Sequence, residues 1–145
     1  NISLFADDTT VLASSPSHAT LYPKVQTCIN DIVHWMSTWY LKPNVTKTEL
    51  LLFPPPTDPV PIFHFPDDPG HPISVAPHHK HLGIVIDSAL SWSHHADHVS
   101  SKVCRSVGIM SSHLSHLPQN CRINFYKSYI LPLFTYGFPA WSTIN

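Results

Sequence analysis

Nine prolines fall in the 24 residues from Pro54 to Pro77, at positions 54, 55, 56, 59, 61, 66, 69, 72 and 77. Each fixes φ and removes a backbone donor, so proline breaks helix interiors and is excluded from the middle of a sheet. This stretch therefore reads as an extended, loop-rich insertion with short edge strands around Ile62 and Phe63 and around Ile73, Ser74 and Val75. Regular structure must be built on either side of it.

Upstream, two short β-prone runs, 2–6 and 9–14, flank Asp7 and Asp8 and predict a tight hairpin with both carboxylates at or beside its turn. From 20 to 40, Leu21, Val25, Cys28, Ile29, Ile32, Met36 and Trp39 recur at three- and four-residue spacing, which predicts a helix. Pro23 is tolerable there only in the first turn. Residues 41–48 connect to a strand over 49–53. Downstream of the prolines, 81–87 is an almost wholly apolar run of strand length and predicts a buried strand. A helix follows on Ala96, Val99, Val103, Val107, Met110 and Leu114, with Ser93 as its N-cap. Another starts at Pro118, carries Ile123, Tyr126 and Ile130 on one face, and is expected to stop or kink before Pro132. The change from a strand-containing to a helical half falls near residue 90.

With 43% hydrophobic residues the chain can bury a core. No apolar run approaches the ~18–20 residues that span a bilayer, and no basic segment precedes a short apolar one, so neither a membrane span nor a signal peptide is expected. The cysteines, Cys28, Cys104 and Cys121, are odd in number and form no Cys-x-x-Cys pair, which fits reduced thiols and an intracellular site, nucleus or cytoplasm. The formal net charge of -1 lacks the basic excess usual in nucleic-acid binders.

Asp7-Asp8 is the sharpest candidate for chemistry. Adjacent carboxylates repel and are relieved by water or a cation, and carboxylate-bridged magnesium pairs are a standard device for in-line phosphoryl transfer. Asp is also a favoured turn residue, so the pair taken alone is first of all a turn signal and weak evidence for chemistry. The histidines form a second group: His78, His79, His81, His94, His95 and His98 lie close in sequence, with His94 and His98 at i, i+4. No further ligands at zinc-site spacing accompany them. Their consequence is electrostatic, because protonating all twelve histidines takes the formal charge from -1 to +11.

Read together, four blocks covering nearly the whole chain resemble the reverse transcriptases of non-LTR (LINE-type) retrotransposons. Phe5-Ala6-Asp7-Asp8-Thr9-Thr10-Val11-Leu12 looks like their palm hairpin. Trp35-Met36-Ser37-Thr38-Trp39 followed by Leu41-Lys42-Pro43-Asn44-Val45-Thr46-Lys47-Thr48-Glu49 is similar to the next block, with Pro43 in place of its usual apolar residue. Lys80-His81-Leu82-Gly83-Ile84-Val85-Ile86-Asp87 with Leu90-Ser91-Trp92 resembles the block bearing the Leu-Gly turn near the primer. Leu117-Pro118, Arg122, Tyr126-Lys127-Ser128, Ile130-Leu131-Pro132, Tyr136-Gly137 and Trp141 look like the thumb and the segment after it.

The resemblance implies an α+β fold: a partial polymerase palm of β-hairpin, helix and short antiparallel strands over 1–90, with the Pro-rich insertion at 54–77, then a helical thumb over 91–145. It implies metal ligation by Asp7 and Asp8, two Mg2+ ions in the intact parent, and Lys47 near the phosphates of the incoming nucleotide. It implies nucleic-acid contacts from Lys80, Leu82, Gly83, Lys102, Arg105, Arg122 and Lys127, and places Tyr126, Tyr136 and Trp141 in the thumb core. Partners would be an RNA template, a DNA primer and deoxynucleoside triphosphates. The upstream palm aspartate and the fingers are absent from these 145 residues, so the chain reads as a fragment of an RNA-directed DNA polymerase, inactive in nucleotidyl transfer by itself. With few Lys and Arg to neutralise phosphates, weak, salt-sensitive binding is expected. The alternatives are a non-enzymatic nucleic-acid-binding or interaction module derived from a transposon, and a non-functional pseudogene product.

Overall fold

The structure, a computed structural model, describes residues 1–142, so the last three residues of the 91–145 segment lie outside it. Helices and strands are mixed, as in an α+β chain, and they fall into two compact units, Asn1–Ala76 and a second beginning at Pro77. No described helix is long and apolar enough to cross a membrane.

In the first unit, β1 (Ile2–Phe5) and β2 (Asp8–Val11) form a two-stranded antiparallel ribbon. Helix α1 (His18–Thr38) begins where the Ser17 side chain accepts from the Thr20 N–H at 3.4 Å and the Thr20 hydroxyl donates to the Ser17 carbonyl at 3.0 Å. This capping starts the helix earlier than the apolar spacing suggests, so Pro23 is its sixth residue and lies past the first turn. Ala19 thereby loses the donor its carbonyl would otherwise receive. Leu21, Val25 and Val33 are buried, whereas Trp39, expected on the same face, follows the helix end and is 65% exposed.

The Pro-rich stretch departs most from expectation. It contains β4 (Phe63–Phe65) and β5 (Asp68–Val75), which pair antiparallel, and β3 (Glu49–Leu50) joins β5 in parallel, giving the order β3-β5-β4. A strand with Pro69 and Pro72 is thus the middle one, and the expected strand over 49–53 is only two residues long. The prolines are tolerated because β3 pairs only with Ser74 and Val75, while β4 pairs with β5 at Asp68, Pro72 and Ile73 across an irregular register. No proline sits where β5 is bonded on both sides. Nor is the segment a surface loop: Phe63, Phe65 and Ile73 are 2–5% exposed and join Leu52 and the α1 residues in one core. Full burial of such side chains is worth about 1.5–3 kcal/mol each.

In the second unit, β6 (His78–His81) and β7 (Ile84–Asp87) form an antiparallel hairpin. The expected single strand over 81–87 is therefore folded in two at Leu82-Gly83. Helix α2 (Ser93–His113) packs on β7, with Trp92 in the cap position and Ser93 as the first helical residue. Its buried residues are His95, Val99 and Ser106, so the helix is turned from the expected stripe and Val107 is 42% exposed. The β7 backbone explains the rotation, because the Val85 N–H donates to His95 Nδ1 at 3.3 Å. Helix α3 (Gln119–Phe125) runs through a π turn (Tyr126–Ile130) into α4 (Leu131–Thr135), followed by α5 (Phe138–Trp141). The chain neither stops nor breaks before Pro132. The Leu131 N–H reaches back five residues to the Tyr126 carbonyl, and the helix widens just before the residue that has no N–H to give. Ile130 is buried to 2% exposure, but Ile123 and Tyr126 of the expected face are 43% and 44% exposed.

Candidate functional site

The acidic pair lies at the tip of the β1–β2 ribbon. Phe5 pairs with Asp8, leaving Ala6 and Asp7 as a two-residue turn. Ala6 takes a left-handed φ of 52°, a conformation that costs an L-residue about 1–2 kcal/mol. Asp8 shares a face with Phe5, Ser3 and Thr10, while Ile2, Leu4 and Val11 occupy the other, and both faces are exposed. Both aspartates are exposed and form no ion pair among the described residues, where no cluster of three or more His, Cys, Asp or Glu side chains suited to a metal is found. Two adjacent, unpaired hard-oxygen donors fit a magnesium ion that keeps several waters and takes further oxygens from a substrate.

Lys47 ends a short 3-10 turn (Val45–Lys47) organised by Asn44. The Asn44 carbonyl accepts from the Lys47 N–H at 3.2 Å and from the Thr48 hydroxyl at 2.8 Å, and the Asn44 side-chain oxygen accepts from the Thr46 hydroxyl at 2.8 Å. The lysine side chain is exposed, and no hydrogen bond or ion pair joins it to Asp7 or Asp8.

The other candidate residues lie in the second unit. Leu82 and Gly83 make the two-residue turn between β6 and β7 with φ values of 47° and 88°. Positive φ at both central positions is the arrangement that follows the twist of a hairpin. The Tyr136 hydroxyl donates to the Leu82 carbonyl at 2.6 Å, and a Cβ on Gly83 would stand 3.2 Å from Tyr136 Cε1. The room that glycine provides is thus taken by the Tyr136 ring. Tyr136 is nevertheless 56% exposed, so it clamps the turn from outside and is not a core residue. Trp141 is half-buried, edge-on to His95 at 5.5 Å.

Lys80, Lys102, Arg105, Arg122 and Lys127 are all exposed, and none has an ion-pair partner among the described residues. Lys102 and Arg105 are i, i+3 neighbours on α2, Arg122 is on α3, and Lys127 is in the π turn. The near-zero total charge conceals a division. Residues 1–76 hold three Lys and Arg against seven Asp and Glu, and residues 77–145 hold five against two, giving formal charges of -4 and +3. Eight of the twelve histidines are in the second unit, so full protonation carries it to +11 and the first only to zero. Counting charge by segment would have revealed this in the sequence.

The structure also buries Asp87 and His95 of the second unit and half-buries His98; the spacing of the histidines marked the last two, whereas nothing in the sequence pattern singled out Asp87. The Asp87 carboxylate, 5% exposed, accepts from the Ala89 N–H at 3.1 Å, the Ser91 N–H at 3.0 Å, the Ser91 hydroxyl at 3.2 Å and the Trp92 N–H at 2.8 Å. Burial by itself raises its pKa, but the hydrogen bonds from Ser91, Trp92 and Ala89 outweigh it and the net shift is downward. His95, 2% exposed, has its pKa lowered by burial and then by the positive charges of His98 and Lys102. His98 is lowered by burial and by Lys102 and Lys80.

No protein family model matches the chain, and no solved structure matches it. Among curated proteins, it is 27% identical over 143 residues to the RNA-directed DNA polymerase from mobile element jockey of Drosophila melanogaster. The match covers 97% of this chain and 15% of that protein, so the chain spans a small part of its relative's length. Over nearly its whole length, then, this chain is distantly related to an RNA-directed DNA polymerase.

Proposed function

We propose that the chain is the segment of a LINE-type reverse transcriptase that carries the acidic palm hairpin and the following thumb, and that it takes part in nucleotidyl transfer only within a longer parent. The observation that carries this reading is the exposure of Asp7 and Asp8 at a two-residue hairpin turn in a chain that is, over 97% of its own length, similar to part of a polymerase. Asp7 is the principal ligand for Mg2+, and Asp8 is a second, weaker or indirect one. When bound, the metal supplies charge neutralisation for the nucleophile and the leaving phosphates. Lys47 brings a cation to the nucleotide phosphates, favouring departure of pyrophosphate. The two-stranded ribbon suits this role, since its exposed apolar face, Ile2, Leu4 and Val11, fits a hairpin that lies within a larger sheet in the parent.

The test is metal binding at the turn, followed by activity. Addition of Mn2+ in place of Mg2+ should broaden the NMR signals of residues 6–9 selectively, and Asp7→Asn should remove the effect. The chain alone should extend no primer. Magnesium-dependent extension by it, abolished by Asp7→Ala, would overturn the claim that the parent is required.

The charge division favours a second reading, in which the second unit acts as a nucleic-acid-binding module without chemistry. Binding of an RNA–DNA duplex that is indifferent to Asp7→Ala, without metal binding at the turn, would select it.

A further inference from the structure

Within the second unit the fold gathers three basic side chains that are scattered in the sequence. The β6–β7 register sets Lys80 opposite Val85, and directly opposed residues leave an antiparallel pair on the same face. That face is the one laid on α2, because Val85 is buried on it and His78, which shares it with Lys80, stacks on His94 of the helix. His98 and Lys102 follow His95 by three and seven residues and lie on the same side of the helix. Lys80 therefore leaves the hairpin toward the flank of α2 that bears His98 and Lys102, and both ammonium groups act electrostatically on the His98 ring. His98 Nε2 is shielded from solvent and has no hydrogen-bond partner.

No ion pair joins a carboxylate to this group among the described residues. The second unit contains only Asp87 and Asp97. Asp87, on β7, is committed to Ala89, Ser91 and Trp92, and Asp97 projects about 100° around the helix from His98. The π turn and α4, which pack on α2, carry Lys127 as their one charged side chain and Tyr126 and Tyr129 as their other titratable groups. On the same helix His95 is buried, and His94 stacks on His78 of β6 with ring centroids 4.6 Å apart. Apart from the two aspartates, the titratable groups named here around His98 are neutral or cationic.

We infer that Lys80, His98 and Lys102 seat a phosphate oxyanion of a nucleic-acid backbone, the His98 ring becoming a third charged group, with Nδ1 as its donor, when it is protonated. The chemistry recognised is a phosphate oxyanion, and the choice of a polynucleotide over free phosphate rests on the function proposed above. Burial, and after it the charges of Lys102 and Lys80, hold the His98 pKa below the ordinary 6.5 and favour the neutral ring in the free chain. A bound phosphate offsets the repulsion from the lysines, so binding and protonation of His98 favour one another. Affinity therefore rises as pH falls.

The unit holds eight histidines, so the decisive measurement is resolved at one of them. The His98 ring is followed by NMR against pH in the full chain, free, with a short RNA–DNA duplex, and with inorganic phosphate. The duplex should raise the His98 midpoint by about one pH unit, equivalent to about tenfold tighter binding on protonation. His98→Gln should remove that tenfold. Lys80→Ala with Lys102→Ala should lower the slope of log affinity against log salt by about two. An unmoved His98 midpoint with both ligands overturns the seat, and a midpoint moved by inorganic phosphate but not by duplex overturns its assignment to nucleic acid. Neither result bears on Mn2+ binding at Asp7, so this proposal and the polymerase reading can fail separately.

Discussion

Tyr136 and Leu82, 54 residues apart, are joined by a 2.6 Å hydrogen bond from the tyrosine hydroxyl to the leucine carbonyl. The bond falls on a turn whose two residues both have positive φ, a conformation leucine adopts only at a cost. The same ring occupies the space beside Gly83, so one side chain from the C-terminal segment both holds the turn and dictates the size of its second residue.

Tyr136→Phe, which keeps the ring and deletes the donor, should destabilise the second unit by about 1 kcal/mol. Gly83→Ala should cost about 1–2 kcal/mol from backbone conformation alone, and more from the Tyr136 contact. In a Tyr136→Ala background the contact disappears and the backbone cost stays. Hydrogen exchange of the β6–β7 amides in the four proteins gives the coupling, which should be non-zero for residues that touch.

Phe63→Ala should cost the first unit about 3–5 kcal/mol, as expected for a fully buried aromatic. Phe53→Ala, at a position 39% exposed, should cost less. Urea unfolding followed by far-UV circular dichroism distinguishes them. Equal, small effects would mean that the Pro-rich segment is not part of the core.

Asp87 should set an acid limit on the second unit. Its folded pKa lies below the ordinary 3.8, so its contribution is present above that value and is lost as pH falls through the folded pKa. Asp87→Asn removes this dependence and should cost about 1–3 kcal/mol at neutral pH, because an amide cannot accept the same set of bonds. Thermal melts between pH 7 and pH 2.5 test both effects.

His95 acts at milder pH. Its pKa is lowered in the folded chain, so the unfolded chain takes up the proton more readily. Stability is full above the ordinary 6.5 and declines as pH drops from there toward the folded pKa. Protonation would also place a hydrogen on Nδ1, where the Val85 N–H now donates. The protection of the Val85 amide, its exchange corrected for the intrinsic slowing at lower pH, should fall from pH 7 to pH 5.5, and a His95→Gln variant should show a flatter dependence.

Local patterns in the sequence carried much of the fold. Two β-prone runs around Asp7-Asp8 are the β1–β2 ribbon, and apolar spacing located α1 and α2 to within a few residues at their starts. Their buried faces were less legible. The α2 face includes His95 and Ser106, polar residues that no hydrophobic count selects and that pair with backbone groups: the Val85 N–H donates to His95 Nδ1, and the Ser106 hydroxyl donates to the Lys102 carbonyl. The candidate acids and basic residues were legible by type, while the grouping of Lys80 with His98 and Lys102 needed the hairpin register.

By itself the sequence determined that Asp7 and Asp8 lie at or beside a hairpin turn and that two long helices occupy the segments of apolar periodicity, since both depend on neighbours along the chain. Only the tertiary structure decided that the Pro-rich segment supplies core residues, that the run 81–87 doubles back at Leu82-Gly83, and that the helix through Pro132 widens instead of ending. The physical reason is the same in each case. Burial of Phe63 against α1, the Tyr136 bond to Leu82 and the five-residue bond to Tyr126 join or bridge groups whose partners no local pattern specifies, and their stabilisation overrides the local preference.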